Sequence, residues 1–335
     1  MMEFIDGSKV NIFSPADEKP HPPGKEENWQ ESYVLYWYDP KQRIAGNFRL
    51  GREANYQGGR SQFNIVVVSP AGTYRCIGNL PLRPQDVFEN GFGNGDDSLR
   101  YEFDGEHIRW TLKSDDVEAQ FTVELTVPPI DAHRKAGLAT AESILSAHVD
   151  AACRITGTMV IKGKTCAIDA FGVRDHAWGT RDLSQMRSYR WLVADLGPGN
   201  SFVAMTFQSA DNKLARLGWV IRGNKVLLAS TVSTRAIISD DGATNLGGTV
   251  RMTLTTGEVF EARFDPICPT IGLDMNFIHT TFYYDSYCRV TWGDKVGFGI
   301  FESTDNIRGG LVMPEVFDGS VGTNGWHPDA RPYDL

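Results

Sequence analysis

The sequence lacks several features that would assign a partner or a cellular location directly. Its 33 Lys and Arg residues are scattered among 42 Asp and Glu residues, which gives a net charge of −9. Because binding to nucleic acid needs a basic surface, this charge argues against nucleic acid as a partner. No apolar stretch is long enough to span a bilayer. The acidic start, MMEFID, also lacks the apolar core of a signal peptide.

Cysteine is scarce and poorly placed for cross-linking. The five cysteines are widely separated, with no CxxC pair, at Cys76, Cys153, Cys166, Cys268 and Cys288. They predict neither a disulfide framework nor a cysteine-ligated zinc site, and they favour a reducing, cytoplasmic setting. The motifs for a nucleophile elbow, a phosphate loop and a HExxH metal site are missing as well.

One histidine and one aspartate are the nearest approach to a metal pair. His148 and Asp150 would share a face of an extended strand. No third ligand is evident from the sequence, and a buried, hydrogen-bonded histidine is the alternative interpretation. We therefore expect no metal and no other cofactor.

What the chain does contain is a series of short alternating segments separated by glycine turns. Leu99–Asp104 and His107–Leu112 alternate apolar and polar residues about Asp104-Gly105, which predicts a β-hairpin. Similar pairs of segments flank turns at Gly163, Gly223, Gly257 and Gly293. Few helical periods lie between them, so the sequence predicts an antiparallel, all-β protein. Ala136–Leu145 is an exception, with a composition that fits a short helix or the start of a strand.

A length of 335 residues exceeds one typical domain and predicts two. No linker marks the boundary, and we place it near Asp150, which gives domains of residues 1–150 and 151–335. Each is of a size that suits an antiparallel barrel or sandwich. Eight Trp, eleven Tyr and eighteen Phe residues are enough to line an apolar cavity as well as to fill the cores.

Charged and aromatic residues are concentrated between Phe171 and Trp191, in the run FGVRDHAWGTRDLSQMRSYRW. On an extended strand Arg174, His176 and Trp178 share one face, and Asp175 takes the other. We predict that this run forms one wall of a site. The alternatives are that its charged residues form structural ion pairs and that its histidine is a satisfied interior residue.

The chain returns through a second segment in which Tyr189, Trp191 and Asp195 would share a face. We predict that the two segments meet across a strand pair, which would bring Asp195 to a cavity edged by His176. In an apolar cavity the carboxyl would hold a proton near neutral pH and act as a general acid.

The sequence GVRDHAWGTRD carries a recognisable signature, D-H-x-W-G. It resembles the lipocalin-like family that contains hydroxyneurosporene synthase (carotenoid 1,2-hydratase) and the AttH-type proteins, in particular an uncharacterised bacterial branch. Outside this core the resemblance is diffuse. It implies two lipocalin-like, or calycin-like, antiparallel β-barrel or sandwich domains, and such barrels enclose a cavity for one apolar ligand. It also places His176 and Trp178 at the family's functional histidine and tryptophan.

The hydratase branch further uses a tyrosine and an aspartate two residues apart on a later strand. In the best matching segment here, FVAMTF, Val203 and Met205 stand in their places. The hydratase acid is therefore missing from its usual position. Carboxylates that would replace it lie at Asp195, Asp285 and Glu302.

We therefore expect a cofactor-independent acid–base enzyme of the lyase or hydratase, isomerase or cyclase type, acting on an apolar isoprenoid, polyketide or aromatic substrate. The alternative is a non-catalytic carrier of an apolar small molecule. No oligomeric state is predicted. The candidate catalytic residues are His176, Asp195, Asp175 and Tyr189. The candidate substrate-binding residues are Arg174, Trp178, Trp191, Tyr283, Asp285 and Glu302.

Overall fold

The computed structural model of the protein describes residues 3–5, 11–12, 15–131, 147–182, 186–240, 244–274, 281–306, 320–321 and 323–334. Within these ranges the chain forms strands and three 3-10 helices, at Pro15–Glu18, Tyr56–Gly58 and Pro84–Asp86. The all-β prediction is confirmed. The interpretation of Ala136–Leu145 lies outside the described residues. No helix in the described ranges is long and apolar enough to cross a membrane.

Twenty-five strands are described. Those of the first half are β1 (Glu3–Ile5), β2 (Asn11–Ile12), β3 (Trp29–Asp39), β4 (Ile44–Glu53), β5 (Arg60–Ser69), β6 (Gly72–Pro81), β7 (Val87–Phe88), β8 (Gly91–Gly93), β9 (Leu99–Phe103), β10 (Ile108–Lys113), β11 (Val117–Leu125) and β12 (Ile130–Asp131). Those of the second half are β13 (Ala147–Ile161), β14 (Lys164–Thr180), β15 (Met186–Asp195), β16 (Asn200–Ser209), β17 (Leu214–Arg222), β18 (Lys225–Ile238), β19 (Asn245–Leu254), β20 (Val259–Pro266), β21 (Thr270–Asp274), β22 (Thr281–Trp292), β23 (Lys295–Asn306), β24 (Ser320–Val321) and β25 (Gly325–His327).

These strands form two large sheets. The first has the order β25-β6-β5-β4-β3-β14-β13-β11-β10-β9-β8-β7, with β2 and β12 attached. The second has the order β20-β19-β18-β17-β16-β15-β23-β22-β21-β24, with β1 attached, and a further pairing of β20 with β22 closes an eight-stranded barrel. The first sheet is a half-barrel. The predicted pair of lipocalin-like antiparallel β units is confirmed.

The predicted hairpins are present, and their alternation explains the packing. The hairpin of β9 and β10 turns at Asp104-Gly105 as predicted. Along β10, Ile108, Trp110 and Leu112 are buried while the residues between them are not. This pattern is expected of a strand with one face against a core.

The hairpin of β13 and β14 belongs to the first sheet, because β14 pairs with β3 from Phe171↔Tyr38 to Thr180↔Trp29. The predicted boundary at Asp150 falls inside β13, and this pairing ties residues 147–180 to the first sheet. We propose instead that the division lies between β14 and β15. The D-H-x-W-G run then belongs to the first unit, whereas the sequence placed it in the second.

Three apolar cores result from this arrangement. One lies inside the half-barrel and contains Trp37 and Trp110. Another fills the closed barrel around Phe202. The last, the inter-sheet core, contains residues of both sheets, including Tyr36 and Trp191. Strand β14 separates the half-barrel interior from the inter-sheet core, so its two faces reach two different environments.

Candidate active site between the two sheets

Strand β14 divides the charged and aromatic run between its two faces. Arg174, His176 and Trp178 share the face towards the half-barrel interior, where the ring of His176 stacks on Tyr33 with centroids 3.9 Å apart. Asp175 lies on the opposite face, towards the second sheet. The predicted alternation is therefore present. The adjacent aspartate and histidine of the D-H-x-W-G run therefore contact different groups of residues, one on each side of β14.

Inside the half-barrel, His176 uses both ring nitrogens. Nε2 lies 3.2 Å from Oε1 of Glu31, and Nδ1 lies 3.4 Å from Nη2 of Arg174. These contacts fit a neutral imidazole whose Nε2–H donates to Glu31 and whose Nδ1 accepts from Arg174. Burial lowers the pKa of His176, which favours the same neutral form.

Glu31 is the centre of this network. Its Oε1 also lies 2.7 Å from Nδ1 of His21, and its Oε2 accepts a hydrogen bond from Nη2 of Arg52 at 2.7 Å. Burial opposes ionisation of Glu31. The hydrogen bonds from His176 and His21 and the charge of Arg52 nevertheless lower its pKa to about 2.

The same network holds the N-terminal segment, residues 15–28, against the half-barrel. Glu18 forms an ion pair with Arg174, and the ring of His21 stacks on Trp178 with centroids 4.0 Å apart. Two carboxylates thus face two guanidinium groups, and the charge of the group is balanced. We call it the arm cluster: Glu18, His21, Glu31, Arg52, Arg174 and His176.

The opposite face of β14 contributes to a second polar group, which lies between the sheets. Asp175 stands directly across from Asp150 in the β13–β14 register. Nε2 of His148 lies 2.5 Å from Oδ2 of Asp175 and 3.7 Å from Oδ1 of Asp150. One imidazole therefore contacts two carboxyl groups that the register places side by side.

The second sheet presents a matching row of side chains. Glu302 on β23 stands between Trp191 on β15 and Asp285 on β22. Tyr36 of the first sheet donates a hydrogen bond from its hydroxyl to Oδ2 of Asp285 at 2.9 Å, which joins the two sheets. We call this group the inter-sheet site: Tyr36, His148, Asp150, Asp175, Tyr189, Trp191, Tyr283, Asp285 and Glu302.

The carboxyl groups of the second sheet are protonated more readily than ordinary ones. Burial raises the pKa of Asp285 to about 7, although the hydrogen bond from Tyr36 opposes the shift. Burial and the charge of Asp285 together raise the pKa of Glu302 well above its usual value. Ionising both carboxyl groups would place two like charges close together in apolar surroundings, which is energetically costly. The pair therefore retains a proton near neutral pH.

In the first sheet, the pKa values of the two carboxyl groups, Asp150 and Asp175, shift in opposite directions. Burial raises the pKa of Asp150 to about 7, with His148 opposing the shift. Burial acts the same way on Asp175, but the charge of His148 and its hydrogen bond lower the pKa of that carboxyl. Burial likewise disfavours the charged form of His148, yet Asp175 and Asp150 raise its pKa to about 9. Neighbouring groups whose pKa values diverge in this way suit proton donation and acceptance.

The structure brings most of the predicted site residues together and separates the rest. The inter-sheet site contains Asp175, Tyr189, Trp191, Tyr283, Asp285 and Glu302. The arm cluster and its stacking partner contain Arg174, His176 and Trp178.

Asp195 belongs to neither group. It shares a face of β15 with Trp191, as predicted, but β15 pairs with β16 and β23, so the predicted pairing with β14 does not form. Four residues of strand place Asp195 roughly 13 Å from Trp191. Its Oδ1 accepts a hydrogen bond from the backbone N–H of Gly197 at 2.9 Å. Burial raises its pKa to about 7, against hydrogen bonds from Gly197 and Gly172.

Three site residues were not among the predicted ones: Tyr36, His148 and Asp150. The sequence signalled the last two through their shared strand face, but it did not show the third group of this set. That group is Asp175, 25 residues after Asp150 in sequence and directly opposite it in the hairpin. Tyr36 is one aromatic residue in the run SYVLYWY, and only the sheet packing singles it out.

The half-barrel packed on a closed eight-stranded barrel defines the class as lipocalin-like. The chain belongs to the family described as a domain of unknown function, DUF7064, whose model matches residues 14–307. A search of curated proteins found no match.

Solved structures similar to this chain share its fold at low sequence identity. One, assigned as AttH from Nitrosomonas europaea, superposes with a TM-score of 0.66 at 14% identity over 90% of this chain and 98% of the other. CghA with Sch210972 gives 0.60 at 12% identity over 88% and 95%. Kievitone hydratase from Nectria haematococca gives 0.57 at 10% identity over 92% and 98%. The predicted resemblance to the AttH-like, lipocalin-like group is confirmed.

Proposed function

We propose that the protein is an acid–base enzyme of the lyase or hydratase, isomerase or cyclase type that acts on an apolar small molecule at the inter-sheet site. The observation that carries the proposal is the facing of two carboxyl pairs with divergent acidities. The pKa of Asp285 is about 7, whereas that of Asp175 is lowered. Near neutral pH, a protonated carboxyl can donate a proton, and an ionised one can accept it or orient a base.

The proton donor in this proposal is the pair Asp285 and Glu302. The two stand opposite each other in the β22–β23 register. Oδ2 of Asp285 accepts the hydrogen bond from Tyr36, and its Oδ1 accepts none from the described residues. Oδ1 is therefore the natural position for the proton. A substrate carbon or oxygen that reaches Oδ1 would receive it.

Charge that develops on the substrate needs a partner as well. Trp191 stands next to Glu302 across the strand pair, and its indole face can stabilise positive charge on a protonated alkene. His148, oriented by its hydrogen bond to Asp175, is the second proton-transfer group. The two dyads lie on opposite sheets, so a substrate between them would contact both.

The apolar surroundings of the site support an isoprenoid, polyketide or aromatic substrate. Residues of the inter-sheet core, such as Val193, Val203 and Trp219, border a gap of about 10 Å³ beside Asp150. That gap has the size of one water molecule. A larger substrate would therefore require side chains of this core to move. Among the structural neighbours, one is named a hydratase and another was solved with Sch210972.

Turnover in deuterated water tests the proposal. Isoprenoid alcohols, prenylated phenols and polyketide-derived alkenes would be incubated with the protein, and the products examined for deuterium on carbon by mass spectrometry. Asp285→Asn and Glu302→Gln should each lower the rate of labelling by about 10²–10⁴, the usual scale for a lost general acid. Asp195→Asn is the matched control, since it removes a buried carboxyl of similar pKa outside the site.

Three other results would contradict the proposal in different ways. Full activity in Asp285→Asn and Glu302→Gln would show that the general acid is another residue. Loss of activity in Asp195→Asn alone would assign the acid to that residue, as the sequence suggested. Ligands that bind but return unaltered and unlabelled would define a carrier.

A further inference from the structure

We infer that His148, Asp150 and Asp175 form a binding site for a divalent first-row transition-metal ion. Each residue offers one ligand atom, and the three atoms lie within 4.8 Å of one another. Two come from β13 and one from β14, so the hairpin register fixes their relative positions. This inference concerns binding alone: a bound ion would occupy a ring nitrogen of His148, so the proton transfer proposed for His148 belongs to the metal-free protein.

The carboxyl group of Asp150 is the strongest single observation in favour of a bound ligand. Its side chain has 0% exposure, and neither oxygen has a hydrogen-bond partner among the described residues. The indole of Trp191 is close to it but outside hydrogen-bond geometry. Buried carboxylates are normally paired or bound to a metal. A cation held by Asp150 and its two neighbours would satisfy these oxygens.

The charge around the site also favours a cation. Four carboxyl groups meet between the sheets: those of Asp150, Asp175, Asp285 and Glu302. Two guanidinium groups that have no carboxylate partner in the arm cluster, Arg181 and Arg49, interact with Asp175. In the metal-bound state, with the carboxyl protons displaced and His148 neutral, the four carboxylates exceed the two guanidinium groups by two charges. One divalent ion would cancel that excess.

The arm cluster contains a second possible metal-binding triad, but its charge is already balanced. His21, Glu31 and His176 are also close enough to hold an ion. There, however, the two carboxylates already face two guanidinium groups, and Arg52 occupies Oε2 of Glu31. A divalent ion would add unbalanced charge to a buried group. The geometry alone fits both triads, and the charge selects the inter-sheet one.

The donor set determines which ions fit. One imidazole nitrogen and two carboxylate oxygens suit zinc, manganese, iron or cobalt, and three protein ligands leave at least one position open. Binding would replace the 2.5 Å contact between His148 and Asp175, and the imidazole would release its proton.

Calorimetric titration of the chelator-treated, full-length protein with Zn²⁺ and with Mn²⁺ tests the inference. One ion should bind per chain. Asp150→Asn, which keeps the shape of the side chain, should weaken binding by more than about 100-fold, because it alters a direct ligand. His21→Gln, in the other triad, should leave the affinity unchanged. Thermal unfolding of both variants verifies that they are folded.

A measurement on the wild type alone avoids dependence on any variant. Bound Co²⁺ should produce contact-shifted imidazole resonances from a single histidine in the proton NMR spectrum. Shifted resonances from two histidines would assign the ion to the arm cluster and overturn the inference. Absence of binding up to millimolar metal, or equal binding by Asp150→Asn, would overturn it as well.

Discussion

The arm cluster and the inter-sheet site lie on the two faces of one strand, yet they satisfy their charges in opposite ways. In the arm cluster, Glu31 meets Arg52 and two imidazoles, and its pKa is held at about 2. In the inter-sheet site, the pKa of Asp285 and that of Asp150 are each raised to about 7. Both groups are buried, so burial does not explain the difference. The supply of opposite charge does.

This contrast separates a structural role from a chemical one. A buried ion whose partners are complete stabilises one arrangement of the chain and has little capacity to exchange protons. A buried carboxyl group without enough cations holds its proton near neutral pH and is available for proton transfer or for binding a cation. The His176 network therefore has the features of the satisfied interior histidine that the sequence left open. The proposed chemistry lies with the neighbouring aspartate.

The largest expected effect comes from breaking the balanced cluster. Glu31→Gln removes the carboxylate that Arg52 and both imidazoles contact and leaves a buried guanidinium uncompensated. The free energy of unfolding, measured by urea denaturation at pH 7, should fall by about 3–5 kcal/mol. Glu302→Gln is the matched change in the inter-sheet site and should cost less than about 1 kcal/mol, because that carboxyl already lacks a cation. Equal losses in the two variants would remove the contrast.

A smaller effect, with a distinctive pH dependence, is expected for Asp285→Asn. The folded pKa of Asp285 is about 7 against an ordinary value of 3.8. Between these values the native state binds more protons than the unfolded state, so this group lowers stability as pH rises towards 7. Asn removes that penalty and still accepts the hydrogen bond from Tyr36. The variant should equal the wild type at pH 4 and exceed it by about 1–3 kcal/mol at pH 8.

Asp104 provides a control of opposite sign for this pH dependence. Hydrogen bonds from the backbone N–H groups of His107 and Glu106 lower its pKa to about 2. Asp104→Asn should therefore lose stability relative to the wild type above pH 4, and not gain it. A gain at pH 8 in both variants would show that general charge reduction, and not burial of Asp285, is responsible.

The smallest effect should be local. His21→Ala removes both the contact with Glu31 and the stacking on Trp178 that hold residues 15–28. Opening of this segment should become more frequent, and cleavage by trypsin after Lys25 should accelerate several-fold while the melting temperature changes little. His327→Ala, on β25, is the control and should cleave at the wild-type rate. Unchanged cleavage in His21→Ala would mean that other contacts hold the segment.

Local chemistry made much of the fold predictable from the sequence. Each glycine that the sequence assigned to a hairpin turn lies between two consecutive strands: Gly105, Gly163, Gly223, Gly257 and Gly293. Strand alternation also placed Arg174, His176 and Trp178 on one face and Asp175 on the other.

Long-range pairing was the part that the sequence did not determine. The segment around Asp175 pairs with β3, about 140 positions earlier, and not with the returning segment that contains Asp195. Alternation specifies two faces but does not say which neighbour each one meets. Asp285 and Glu302 were named as isolated candidates, and only the β22–β23 register makes them a pair. The balance of charge in each cluster depends on these pairings, so it could not be predicted from the sequence either.

A titration of the carboxyl carbons by ¹³C NMR tests the central contrast most directly. Wild-type protein labelled in Asp and Glu would be compared with Asp285→Asn and with Glu31→Gln to assign the two signals. The account predicts that the Asp285 signal titrates near pH 7 and that the Glu31 signal remains that of an ionised carboxylate down to about pH 3. Ionisation of Asp285 below pH 5, or a Glu31 signal that titrates alongside it, would contradict the account.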